Sequence, residues 1–111
     1  MNMKTSIISG KRKTALAKLK FKAGTGKIFY NYIPIAELPL FHKLALLEPI
    51  KIHEVVLGDV KYDFFIKTSG GGKESQIQAA RLALANALLH ITSSDVLMKE
   101  FISYDRNMIV Q

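Results

Sequence analysis

The sequence predicts one small domain in which β-strands and α-helices are mixed, and three observations carry that prediction. Residues 62–91, YDFFIKTSGGGKESQIQAARLALANALLHI, read as a strand, a glycine turn and a long helix. Residues 14–33 read as two strands around the turn Ala23-Gly24-Thr25-Gly26. At 111 residues the chain is long enough for one hydrophobic core and too short for two.

The elements follow in order. Ile7-Ile8 suggests a short edge strand, and Gly10-Lys11-Arg12-Lys13-Thr14 then makes a dense cationic point. There Arg12 suits bidentate phosphate binding and the lysines act as mobile point charges. From Thr14 to Lys22 the chain alternates. Ala15, Ala17, Leu19 and Phe21 share one face; Leu16, Lys18, Lys20 and Lys22 share the other. This pattern is a half-buried strand with a lysine row on its open face. Lysines two apart on a strand lie roughly 6.6–6.8 Å from each other, near the phosphate repeat of a nucleic-acid backbone. A solubilising edge row has the same pattern. The returning strand, residues 27–33, completes an expected β-hairpin and puts Tyr30 and Tyr32 on the face of Ile28. Packing of these tyrosines is favoured over base stacking, given the strand preference of aromatics.

Pro34 and Pro39 bracket a short turn. Residues 42–56 read as helical, interrupted at Pro49, with Leu44, Leu47 and Ile52 facing inward; Leu57-Gly58-Asp59 ends that segment. In the next strand Tyr62, Phe64 and Ile66 alternate with Asp63, Phe65 and Lys67. Gly70-Gly71-Gly72 stops it, and Ile77, Ala80, Leu84, Ala87, Leu88 and Ile91 then form one broad helical stripe. Thr92-Ser93-Ser94-Asp95 supplies a new N-cap for a shorter helix over residues 96–102, with Val96, Leu97, Phe101 and Ile102; residues 103–111 show no period. The single domain thus divides into a basic strand and hairpin region (1–33), a helical segment (40–57), a strand–glycine turn–helix unit (60–91) and a short helix with tail (94–111).

Charge is strongly segregated. The net charge is +7, and residues 1–27 hold Lys4, Lys11, Arg12, Lys13, Lys18, Lys20, Lys22 and Lys27 with no Asp or Glu. A near-neutral domain with a cationic first quarter points to a polyanionic partner. There is no cysteine, which removes disulfides and thiolate chemistry. No apolar run reaches the length of a membrane span, so no membrane partner is expected. No signal peptide is visible, and the acid-free start, which imitates a transit peptide, is read as part of the strand pattern.

Catalytic chemistry finds no footing. His42, His53 and His90 have no metal-site spacing, no nucleophile elbow is present, and no cofactor is expected. The glycine turn with Lys73 at a helix start suits a phosphate. The nucleotide-binding P-loop fails at two places, because Glu74 follows Lys73 and Lys67 stands where the first glycine is needed. The glycines could equally serve close packing of helix on strand.

Four segments, in order and at compatible spacing, carry a resemblance. They are Gly10-Lys11-Arg12-Lys13-Thr14-Ala15-Leu16-Ala17, Gly24-Thr25-Gly26-Lys27-Ile28, Leu47-Glu48-Pro49, and Gly70-Gly71-Gly72-Lys73 with Gln76, Ala80 and Leu88. Over nearly its whole length the chain resembles the ribosomal protein S9 family of the small ribosomal subunit. The resemblance implies a two-layer α+β fold: a mixed four-stranded sheet with helices on one face and a left-handed βαβ crossover. It implies a non-enzymatic, structural role in the subunit head, bound to small-subunit ribosomal RNA and to neighbouring head proteins. By position, Lys11, Arg12, Lys13, Lys18, Lys20, Gly71, Gly72, Lys73 and Gln76 become RNA-contact candidates, and Lys22 extends the lysine row.

The departures from the family are specific. Glu74-Ser75 stands where Ser-Gly is usual, Tyr32 where a turn glycine is common, and Tyr104 and Asn107 where arginines are usual. The family continues in a basic tail that approaches transfer RNA; this sequence ends at Gln111, either because it is incomplete or because this member lacks the tail, so that contact is assigned to no residue here. The missing tail and the usage of Ile, Lys, Phe and Asn suggest an organelle-encoded member, a plastid before a mitochondrion, with a bacterial cytoplasm as the other setting. A free-standing RNA- or DNA-binding module and a small phosphate-metabolite-binding enzyme are the alternatives.

Overall fold

The structure, a computed structural model, describes residues 7–105 and Met108. Lys4 and Asn107 lie outside the described residues, as does most of the expected tail. The strands are β1 (Ile8–Arg12), β2 (Ala15–Ala23), β3 (Ile28–Tyr30), β4 (Ile33–Pro34) and β5 (Tyr62–Ser69), and the α-helices are α1 (Leu40–Leu57), α2 (Lys73–Thr92) and α3 (Asp95–Tyr104). The strands form one sheet in the order β1-β2-β5-β3-β4. The fold is mixed α+β, as expected, but the sheet has five strands rather than four, because the two-residue β4 adds an edge.

The expected hairpin between β2 and β3 does not form. β5 lies between them, antiparallel to β2 and parallel to β3. Strand periodicity fixes which side chains turn inward, not which strand lies alongside. β5 offers a matching apolar face to both neighbours: Leu19 opposes Ile66 and Phe21 opposes Phe64 on one side, while Ile28 opposes Phe64 and Tyr30 opposes Ile66 on the other. The loop between β2 and β3 crosses the start of β5 and is held there by Asp63. Its Oδ1 accepts the backbone N–H groups of Thr25 (3.0 Å) and Lys27 (2.9 Å). The Lys27 bond first, and then the Thr25 bond, hold the Asp63 carboxyl below its ordinary value. A Cβ at Gly24 would fall 2.2 Å from that carboxyl carbon, so the approach depends on glycine.

Tight hairpins form elsewhere. β1 and β2 join through Lys13-Thr14, with Arg12 opposite Ala15. β3 and β4 join through Asn31-Tyr32, both at positive φ (49° and 70°), the geometry of a two-residue turn that suits strand twist. The turn separates the two tyrosines expected on one face. Tyr30 is buried, whereas Tyr32 is 78% exposed.

The helices cover one face of the sheet. α2 is buried along most of its length, with Ile77, Ala80, Leu84 and Leu88 in the core beside Ala15, Ala17, Leu19, Phe64 and Ile66. It comes closest at β1, where a Cβ on Gly10 would lie 2.3 Å from the Ala79 carbonyl oxygen. α1 and α3 pack against α2 from outside the sheet. α1 runs through Pro49 without interruption and buries Leu46, Pro49, Ile50 and His53, a helical stripe. An internal proline costs a helix about 3 kcal/mol; full burial of the ring in the α1 interface opposes that loss. Leu44, expected inward, is 43% exposed, one position off the stripe that includes Pro49. Gly58 at positive φ ends α1, and His53 Nδ1 donates to its carbonyl (2.9 Å). Ser94 caps α3 by accepting the Leu97 N–H. Of the four apolar residues expected on this helix, Leu97 and Phe101 are buried while Val96 and Ile102 face outward.

Candidate nucleic-acid interface

The uncovered face of the sheet carries the lysine row. Lys18, Lys20 and Lys22 project from β2 on the side opposite the buried Ala15, Ala17 and Leu19, and all three are exposed. β5 extends the row sideways, since Lys67 opposes Lys18 in register. The lysines surround aromatic rings. Phe29 and Phe65 stack, with centroids 5.3 Å apart and planes within 3°. Lys22 Nζ lies 5.5 Å from the centre of the Phe65 ring, and Lys67 Nζ lies 4.9 Å from that of Tyr32. Between Lys18, Lys20 and Lys67 is a groove of about 300 Å³, lined also by Phe29, Tyr32, Phe65, Ile7 and Ile66.

The basic turn and the glycine turn adjoin at one end of this face. Gly70 and Gly71 adopt positive φ (74° and 62°). A Cβ on Gly70 would meet the Thr14 carbonyl oxygen at 2.4 Å, and one on Gly71 would meet the Ala15 Cβ at 3.0 Å. The first two glycines therefore serve close packing against the β1–β2 turn. Gly72 differs: nothing lies within 4 Å of a Cβ built there, and it caps α2 without a side-chain bond. Lys73 in the first turn of α2 and Lys13 in the β1–β2 turn are both exposed. Lys11, opposite Leu16, shares the open face, whereas Arg12, opposite Ala15, turns toward the helices.

The remaining expected contacts are engaged within the chain. Gln76 donates from Nε2 to the Gly70 carbonyl (3.0 Å) and accepts from the Thr68 hydroxyl (3.2 Å). Asn31 completes this brace, donating to Thr68 Oγ1 (2.9 Å) and accepting the Thr68 N–H (2.9 Å). Arg12 lines a second groove with Arg81, Glu48 and Asp105. Burial first, and then the Arg81 charge, lower its pKa, while Asp105 acts the other way. Arg81 pairs with Glu48 (2.7 Å) and Asp105 (3.0 Å), tying α1 to the segment after α3. Tyr104 donates to Glu48 (3.1 Å) at the same junction. Glu74, a departure at the helix start, meets His42 Nε2 at 3.2 Å. It is also an acid in the first turn of α2, where it complements the helix dipole.

Lys67, Phe29 and Phe65 belong to this surface but are not among the candidates read from sequence. The alternation of Asp63, Phe65 and Lys67 is the local signal for them; the identity of the neighbouring strand has none. Among the described residues no group of His, Asp and Glu could hold a metal ion. No described helix is long and apolar enough to cross a membrane.

Fold and surface define the class: a small α+β domain with helices on one face of its sheet and a basic, open second face. Within that class the chain belongs to the ribosomal protein S9/S16 family, whose profile matches residues 10–111. It is similar to "Small ribosomal subunit protein uS9" of Methanococcus maripaludis, 38% identical over 97% of this chain and 80% of the relative. The protein of the same name from Saccharolobus solfataricus is 40% identical over 96% of this chain and 77% of the relative. That of Desulfurococcus amylolyticus is 34% identical over 96% and 76%. As a ribosomal protein the chain is structural and not an enzyme. The expectation of an organelle or plastid member finds no support, since these relatives are archaeal. A bias toward Ile, Lys, Phe and Asn is not specific to a compartment.

Proposed function

We propose that this protein is a structural constituent of the small ribosomal subunit, in its head, and binds small-subunit ribosomal RNA through phosphate contacts in support of translation. The names of its archaeal relatives support the subunit. The observation that carries the RNA reading is the row Lys18, Lys20 and Lys22 on an open sheet face, widened by Lys67 opposite Lys18. Cations at strand spacing follow a backbone without reading bases. Binding of this kind is electrostatic, and its specificity comes from folded RNA shape.

Lys11, Lys13 and Lys73 extend the contact at the adjoining turns, with the N–H groups around Gly71 and Gly72 seating one phosphate. Arg12 and Gln76 act through position: one beside the Arg81 junction, the other holding the glycine turn. Neighbouring head proteins are the remaining partners. Sedimentation of the tagged chain tests the reading. It should travel with small subunits; a chain found only in free fractions while binding isolated duplexes would be a free-standing nucleic-acid binder instead.

A further inference from the structure

We infer that the groove on the open sheet face takes a single unpaired RNA nucleotide, its base against Tyr32 and the Phe29–Phe65 stack and its flanking phosphates on Lys18, Lys20 and Lys67. This inference rests on the RNA-binding reading above and adds a base contact to it.

Three observations converge on that occupant. The first is Tyr32 itself. It is 78% exposed and sits at φ 70°, where glycine is at ease and a bulky side chain is strained. An exposed aromatic held in such a turn contributes little to the core. The second is the floor. Phe29 and Phe65 stack on each other, 5.3 Å between centroids and parallel within 3°, and both half-buried rings line the groove. Nucleobases stack on such rings whatever their identity, because each has a π-face. The third is the rim. The groove is lined by Lys18, Lys20 and Lys67 and by no acidic residue. That charge complements the phosphates on either side of a splayed base. A volume of about 300 Å³ is at the lower bound of small-ligand sites and is ample for one base.

The test uses the full chain and two single-stranded RNA hexamers of equal charge, one with an adenine at an internal position and one abasic there. Wild-type protein should bind the adenine strand more tightly, by roughly 5- to 150-fold, the range that stacking of one base supplies. Tyr32→Gly, which suits the turn, should erase most of that preference while keeping its affinity for the abasic strand and its thermal stability. Equal binding of both strands by wild-type protein, with affinity still falling steeply in salt, overturns the base pocket and leaves the phosphate reading standing. Binding of neither strand with any salt dependence overturns both. A base preference that survives Tyr32→Gly together with Phe65→Leu also overturns the pocket. Protection of the three aromatic rings by a protein partner and not by RNA would assign the groove to that partner and refute the inference.

Discussion

Alanine at Gly70 should be among the most damaging small substitutions in the chain, while serine at Gly72 should be harmless. Gly70 sits at φ 74°, and placing an L-residue in the left-handed region costs about 1–2 kcal/mol. The new Cβ would also lie 2.4 Å from the Thr14 carbonyl oxygen, well inside contact distance. Relieving that overlap moves the backbone of the β1–β2 turn, a change of the kind that costs about 1–3 kcal/mol. The sum, about 2–5 kcal/mol, is a large part of a total stability of about 5–15 kcal/mol. Gly72 has φ −103° and nothing near its Cβ position. Serine there can accept a first-turn N–H of α2 and reduces unfolded-state freedom, so it should stabilise by up to about 1 kcal/mol. Urea unfolding of both variants at constant slope measures the contrast. If Gly70→Ala stays within about 0.5 kcal/mol of the wild type, the packing role of the first two glycines is wrong.

Other outcomes follow from the same geometry. Asp63 is more acidic in the fold than in the unfolded chain, so between its lowered value and the ordinary carboxylate value near pH ~3.9 the unfolded state binds more protons. Its contribution is therefore complete above that range and fades as pH falls through it; melting temperature against pH should drop more steeply below about pH 4 in the wild type than in Asp63→Asn. Parallel curves would remove Asp63 from the loop clamp. Gln76→Ala deletes bonds to Gly70 and Thr68 and should cost about 1–3 kcal/mol, at about 0.5–1.5 kcal/mol for each bond, with the salt dependence of RNA binding unchanged. Wild-type stability with a flatter salt dependence would instead make Gln76 an RNA contact.

Much of this molecule is legible in its sequence because the signals are local. The β2 alternation of Ala15, Ala17 and Leu19 with Lys18, Lys20 and Lys22 sorts core from surface unaided. The α2 stripe, the Gly58 stop and the Ser94 cap likewise follow from helix chemistry. What escapes is non-local. Nothing within residues 14–33 says that β5 will separate β2 from β3, and only that insertion sets Lys67 opposite Lys18 and Phe65 beside Phe29. Pro49 reads as a break because the local rule omits the packing that holds α1 continuous. Tyr32 follows the parity of Tyr30 until two positive φ values turn the chain back. Gln76 is a contact candidate by family resemblance alone, and its bonds to Thr68 and Gly70 in the fold are likewise non-local.

The most direct test of the central claim is the slope of log Kd against log salt for a fragment of small-subunit ribosomal RNA from the head. It should be measured for the wild type and for a variant with Lys18, Lys20 and Lys22 all replaced by Ala. The three side chains project from an exposed face, so the variant should fold as the wild type does. If the backbone lies along that row, the slope should flatten by roughly 0.7–0.9 for each phosphate no longer neutralised, about 2–3 in all. An unchanged slope in a folded variant would contradict the account, because the RNA would then be held by another face.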